Sequence, residues 1–413
     1  MLDELGGFLV GQRAAASFDI SSTPTNEKAS IDFPFVFPET WQDWVELNET
    51  DQFDAPWESL RDFFSSSGYQ LYVCPPRSRH TRLSCPPSAA EPMHLTEFGT
   101  IGRLTYVPEH EVMDNRLWAA QHRSGRHVII RMHYVDPNAQ SDTGLENEFI
   151  HIMEYLSQRQ LRNETTANPL APIDHLYHRC WRFMVFSRWQ PVLMSTPSGQ
   201  LRCPLPEMTD VLRFCEAVCN GFALLHSHRI AHLNISPTSI VMNVLSGTYL
   251  AQNWSDGVRF LHNDALRYAI QDFDNARQFD ADAVGPCKVA LYGDCRSMPP
   301  EARQRQPRPY DPFAADVYTL GTLFIAYFAH LVAYVPILGP TFEQMTRVNP
   351  HERISMREAA AMFQKAIQTK QYRPFASGYL SSVFLGTVTR PEEEDMDVVN
   401  DDSDLESDSE DED

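Results

Sequence analysis

Apolar positions change their period twice along this chain. Between about 98 and 190 they alternate or run in short blocks. Leu117-Trp118-Ala119-Ala120, a turn at Ser124-Gly125 and His127-Val128-Ile129-Ile130-Arg131-Met132 predict a hairpin rich in β-branched residues. In 146–156, Phe149, Ile152, Met153 and Leu156 recur at three- and four-residue spacing, the signature of one helical face. Trp181-Arg182-Phe183-Met184-Val185-Phe186 predicts a further strand. After Pro191 the period turns helical, with 208–225 amphipathic, so a sheet-rich part gives way to a mostly helical one. Upstream, 57–73 reads as a short helix carrying Trp57, Leu60, Phe63 and Phe64, followed by an extended piece from Tyr69. The Pro-Pro pairs at 75–76 and 86–87 place a linker across 74–92.

The two ends lack such periods. Residues 1–50 mix Ser, Thr, Pro and acids and are expected to be a disordered lead. Residues 391–413 carry fourteen acids and no base, two thirds of the chain's formal charge of −21, and predict a disordered acidic tail over 386–413. The expected organisation is a lead (1–50), a helical preamble with a Pro-rich linker (51–97), a sheet-rich lobe (98–190), a helical lobe (191–385) and the tail.

With the tail set aside the body is only mildly acidic. It has no basic stripe to meet a phosphate backbone, which argues against nucleic-acid binding. Eight cysteines show no C-x-x-C spacing and read as reduced thiols, and the N-terminus has no basic region ahead of an apolar run. Both point to an intracellular protein, cytoplasmic or nuclear. The charge-free stretch 317–342 is long enough to span a bilayer, but Gly321, His330, Pro336 and Gly339 within it favour a buried helix, and no membrane partner is expected.

The chemistry-bearing motifs lie in the second half. His232-Leu233-Asn234-Ile235-Ser236-Pro237-Thr238-Ser239 is followed by Asp272-Phe273-Asp274, Met298-Pro299-Pro300-Glu301, Asp316-Val317-Tyr318-Thr319-Leu320-Gly321 and Asn349-Pro350-His351-Glu352-Arg353. In this order they resemble the catalytic loop, the D-F-G and A-P-E segments, D-x-W-S-x-G and the late D-P-x-x-R of protein kinases, and the likeness covers about 98–370. Tyr310-Asp311-Pro312-Phe313, residues 117–120 and residues 57–71 further resemble kinase-like proteins of basidiomycete fungi with degenerate active sites. The resemblance implies an α+β, bilobal fold with a small, mostly β lobe and a larger, mostly α lobe.

It also implies roles for individual residues. Glu301 and Arg353 would form a buried ion pair. Asp316 would accept from the backbone around His232, and Ile152, His232 and Phe273 would stack as a column. At the chemical positions the groups are replaced. Asn234 stands where the general base belongs, and an amide has no titratable acceptor. Ser236 takes the loop-lysine position and Ser239 that of the metal-binding Asn. No lysine lies between Lys28 and Lys288, so Arg131 occupies the strand-lysine position, with Glu148 as its expected partner. The segment at 107–115 lacks glycine and brings three carboxylates to where a phosphate flap would close. Asp272 keeps its carboxylate as a weak metal ligand, while Asp274 replaces a glycine and adds charge beside it.

These substitutions imply a pseudokinase, acting as a scaffold or allosteric signalling partner. The alternative is a weak or unconventional phosphotransferase that holds metal through Asp272 and Asp274 and clamps phosphate with Arg131. No cofactor is firmly implied, and ATP with Mg²⁺ only weakly. The protein partner is not legible. The tail, with Ser403, Ser407 and Ser409 each three residues before an acid, is a candidate for phosphorylation or for docking a basic partner.

Overall fold

Alternate side chains of the strand Trp181–Ser187 point into two different cores. Trp181, Phe183 and Val185 enter an aromatic cluster, while Met184 and Phe186 enter the main core of the molecule. A two-residue period with both faces covered explains why the strand reads as a continuous apolar run, and all seven of its residues are buried. The computed structural model describes residues 35, 37–48, 54–74, 82–85, 110–111, 115–135, 145–158, 167–195, 201–202, 205, 208–243, 266–280, 298–303 and 310–370. The 107–115 segment, apart from 110–111 and 115, and the acidic tail lie outside them.

The fold is α+β. Its largest sheet is antiparallel and five-stranded, in the order Tyr69–Leu71, Leu117–His122, His127–Tyr134, Trp181–Ser187, Asp174–His178. The central hairpin closes at Gly125, whose φ of 85° favours a residue without Cβ, and its N–H donates to the His122 carbonyl at 2.8 Å. On the strand His127–Tyr134, Val128, Ile130 and Met132 face the aromatic cluster. Arg131 and His133 take the opposite face, against Phe149 of the helix Leu145–Leu156.

Two sequence expectations are corrected here. The lead 1–50 is not wholly without structure, because Trp41–Asn48 forms a helix whose Trp44 is fully buried, its ring 5.6 Å from Trp181. Trp181 also donates its indole N–H to the Pro38 carbonyl at 2.8 Å. Within 51–97, the described helices Ala55–Ser59 and Arg61–Ser66 and the extended piece after them lie where the sequence puts them, but they are joined to the sheet expected at 98–190 and not set apart from it. Tyr69–Leu71 is an edge strand of the main sheet, and Trp57 stacks on Trp118 at 5.6 Å. The physical reason is the apolar outer face made by Trp181, Phe183 and Val185. Such a face must be covered, and a few aromatic anchors suffice even in a segment otherwise rich in polar residues.

Below the sheet, the helix Met208–Ser227 runs through the core and packs along the helix Met356–Thr369. A Cβ at Gly221 would lie 2.2 Å from the Ala167 carbonyl oxygen, so only glycine lets the strand Ala167–Pro169 come this close. Pro312–Leu331 is long and apolar enough to cross a membrane by length and composition. In the fold Leu320, Phe324 and Phe328 lie in the core beside Phe214 and Phe342, as expected of a buried helix. Asp311 caps its start, accepting from the N–H groups of Phe313 and Ala314. A second sheet, in the order Ala167–Pro169, Tyr268–Ile270, Ile240–Met242, Gln190–Pro191, carries the two loops that hold the candidate site.

Candidate functional site

The strands Ile240–Met242 and Tyr268–Ile270 are antiparallel neighbours, so the loop entering the first and the loop leaving the second emerge side by side. This brings 232–239 against 271–278. Two backbone conformations shape the approach, Leu233 at φ 61° and Asp272 at φ 69°, both left-handed and costly for residues with a Cβ. Asp316 stabilises the first of these. Its buried carboxylate accepts from the N–H groups of His232 and Leu233, each at 2.8 Å, and from His226 Nε2 at 3.1 Å.

His232 is fully enclosed, and burial pushes its pKa down, so the ring is neutral. Nε2 lies 2.9 Å from the Gln271 carbonyl and therefore carries the proton, leaving Nδ1 to accept from the Asn234 N–H at 3.3 Å. The imidazole packs 5.1 Å from Phe273, and Ile152 is buried in the same core as that ring. His232 and Phe273 are thus ring neighbours, as the expected column requires of that pair.

Asn234 points its amide Nδ2 at Asp272 Oδ2, 3.4 Å away, so the residue expected at a base position presents a donor to a carboxylate. Ser239 is buried, and its hydroxyl donates to the Asn234 carbonyl at 3.1 Å and accepts from the Ser236 N–H at 3.0 Å. Ser236 Oγ lies 3.0 Å from Ser239 Oγ and 2.9 Å from Thr238 Oγ1. Both serines therefore close the loop on itself. The three-residue spacing of a capping box is the sequence signal that could have shown this.

The expected Arg131–Glu148 pair does not form. Arg131 Nη2 lies 2.5 Å from Asp274 Oδ1, and the guanidinium sits 4.2 Å from the centroid of the Phe149 ring. Glu148 turns instead to Arg277 and to the backbone N–H of Gln278, the latter at 3.0 Å. The reason is local. The segment leaving Asp272 carries one acid and one base three residues apart. Asp274 meets Arg131 on the strand and Arg277 meets Glu148 on the helix, which leaves Arg131 and Glu148 each with a partner of its own. Arg277 and Gln278 are the contributors that sequence reasoning missed, because nothing in their spacing marks them.

The remaining expected relationships have simple geometry. Arg353 meets Glu301 through both terminal nitrogens, at 2.5 and 2.7 Å, with the Arg353 side chain essentially buried. The residues that would receive Mg²⁺ and a nucleoside triphosphate do not fit that group. Asp274 is engaged by Arg131, the hydroxyl of Ser239 is committed to its own loop, and Asn234 presents a donor to Asp272.

No protein-family model matches the chain. Over 140 residues, 33% of this chain, it is 26% identical to the serine/threonine-protein kinase PTK2 of Candida glabrata. The matched stretch spans 16% of that protein's length. The similarity supports a kinase-like relationship.

Proposed function

We propose that the chain is a bilobal, protein-kinase-like domain that does not transfer phosphate and acts through protein contacts, as a scaffold or allosteric signalling partner. The observation that carries this reading is the pairing of Asn234 with Asp272. Phosphoryl transfer needs an acceptor for the substrate hydroxyl proton, and here the residue at that place donates to the neighbouring carboxylate instead. Asp316, His232, Phe273, Glu301 and Arg353 keep the architecture around it. The fold is maintained where the chemistry is not.

Metal held jointly by Asp272 and Asp274 has less support, because Asp274 lies against Arg131. The test is radiolabelled phosphate transfer by the full chain, to itself and to generic protein acceptors, with Mg²⁺ or Mn²⁺. No incorporation above an Asp272→Ala control is expected. Reproducible incorporation that vanishes in Asp272→Ala would overturn the reading.

A further inference from the structure

We propose that Asp274 acts as an internal counter-ion in a polyphosphate seat, its carboxylate keeping anions away from Arg131. The inference rests on the reading above, that the site does not turn over a nucleotide, and adds what excludes one. The Arg131 side chain is only 9% exposed and lies where the sheet, the Leu145–Leu156 helix and the 271–278 segment converge. A guanidinium so withdrawn from water requires a nearby anion. Glu148, on the adjacent helix, is already taken by Arg277 and the Gln278 N–H. Among the described residues, Asp274 is thus the carboxylate in contact with the cation.

The pairing is close but incomplete. Arg131 Nε is buried with no hydrogen-bond partner among the described residues, and Asp274 Oδ1 touches the guanidinium without aligned hydrogen-bond geometry. A single carboxylate oxygen therefore uses part of a planar fork whose donors match the oxygen spacing of a phosphate. Asp272, two positions before Asp274, would oppose a naked anion, so a phosphate chain carrying Mg²⁺ fits the vacated seat better than a metal-free one. Neutralising Asp274 should open the seat without restoring chemistry, since Asn234 remains at the base position.

The test is thermal unfolding of the full-length chain and of Asp274→Gly, each with millimolar tripolyphosphate or ATP, with and without Mg²⁺. The wild-type melting temperature is expected to stay fixed. That of Asp274→Gly should rise by several degrees with either ligand when Mg²⁺ is present. Arg131→Gln added to Asp274→Gly should abolish the rise. Asp274→Asn, which removes the charge and keeps the size, serves the same test if the glycine variant does not fold. A folded variant that responds to neither ligand would overturn the proposal. So would a response to ATP alone, or a wild-type response of equal size. Phosphate transfer by the wild type would instead defeat the functional reading, so the two failures are distinguishable.

Discussion

Arg353 grips Glu301 with both terminal nitrogens, and its remaining donors reach the carbonyls of Ala314, Arg347 and Val348 while its Cζ lies 4.8 Å from the centroid of the Tyr318 ring. One side chain thus ties together the 298–303 segment, the start of the Pro312–Phe328 helix and the 347–353 turn. Arg353→Lys keeps the charge but cannot reproduce two parallel bonds plus three to carbonyls. Breaking a buried ion pair from one side costs about 3–5 kcal/mol. Arg353→Lys is expected to fall near the lower end of that range and Arg353→Ala near the upper, read as urea midpoints.

Asp316→Asn should show how much the strained Leu233 conformation depends on its anchor. The carboxylate takes two backbone N–H groups, and an amide can accept on one side only, turning its own donors toward the other. Leaving one buried N–H unmet costs about 1–3 kcal/mol. A stability loss of that size is expected, with hydrogen exchange rising at Leu233 before it rises in the surrounding core.

Trp44→Ala tests whether the 37–48 segment belongs to the folded unit. The indole is fully buried against Trp181, and truncating such a side chain to Ala costs about 3–5 kcal/mol. An exposed, dispensable lead would give no change in the urea midpoint.

The charge pairing at the site is open to a double-mutant comparison. Arg131→Ala with Asp274→Ala should deviate from additivity by at least about 0.5 kcal/mol, while Arg131→Ala with Glu148→Ala should come closer to additive. Coupling in the second pair and not in the first would show that Glu148 is the partner of Arg131 after all.

Stability should also fall in mild acid, partly through His127. Burial, reinforced by the Arg188 guanidinium, pushes its pKa down from 6.5 to about 4. Tyr72 Oη lies 2.7 Å from Nδ1 and Gln121 Nε2 3.4 Å from Nε2, and Arg188 donates to Tyr72 Oη at 3.1 Å. Above about pH 6.5 both folded and unfolded chains hold this ring neutral, and stability is at its full value. Between 6.5 and about 4 the unfolded chain binds a proton that the folded chain refuses, so stability declines as pH falls, by about 3 kcal/mol over the window. His122, His178, His232 and His330 shift in the same direction, so His127→Gln should flatten the urea midpoint against pH only in part.

The period change near residue 190 and the strands 117–122, 127–134 and 181–187 were legible because side-chain burial there repeats every two or every three to four residues. The meetings of Asp316 with His232 and of Glu301 with Arg353 were legible through motif order. The partner of Arg131 was not. Asp274 and Glu148 offer the same charge, and the choice depends on how the backbone turns after Asp272 and on Arg277 intercepting Glu148. The helix Trp41–Asn48 was hidden for another reason. Its place is set by the bare face of a strand 140 residues away, and a window average over Ser, Thr, Pro and acids dilutes the one buried aromatic of the helix, Trp44, to nothing.

That the Trp181 indole bonds to Pro38, 143 positions upstream, also has a meaning for biosynthesis. At roughly 5–20 residues per second, the ribosome delivers Trp44 about seven to twenty-seven seconds before Trp181, on which it packs. Through that interval Trp44 has no native surface to cover, whereas Trp57 can already stack on Trp118. The sheet cannot be completed in the order in which its pieces are made.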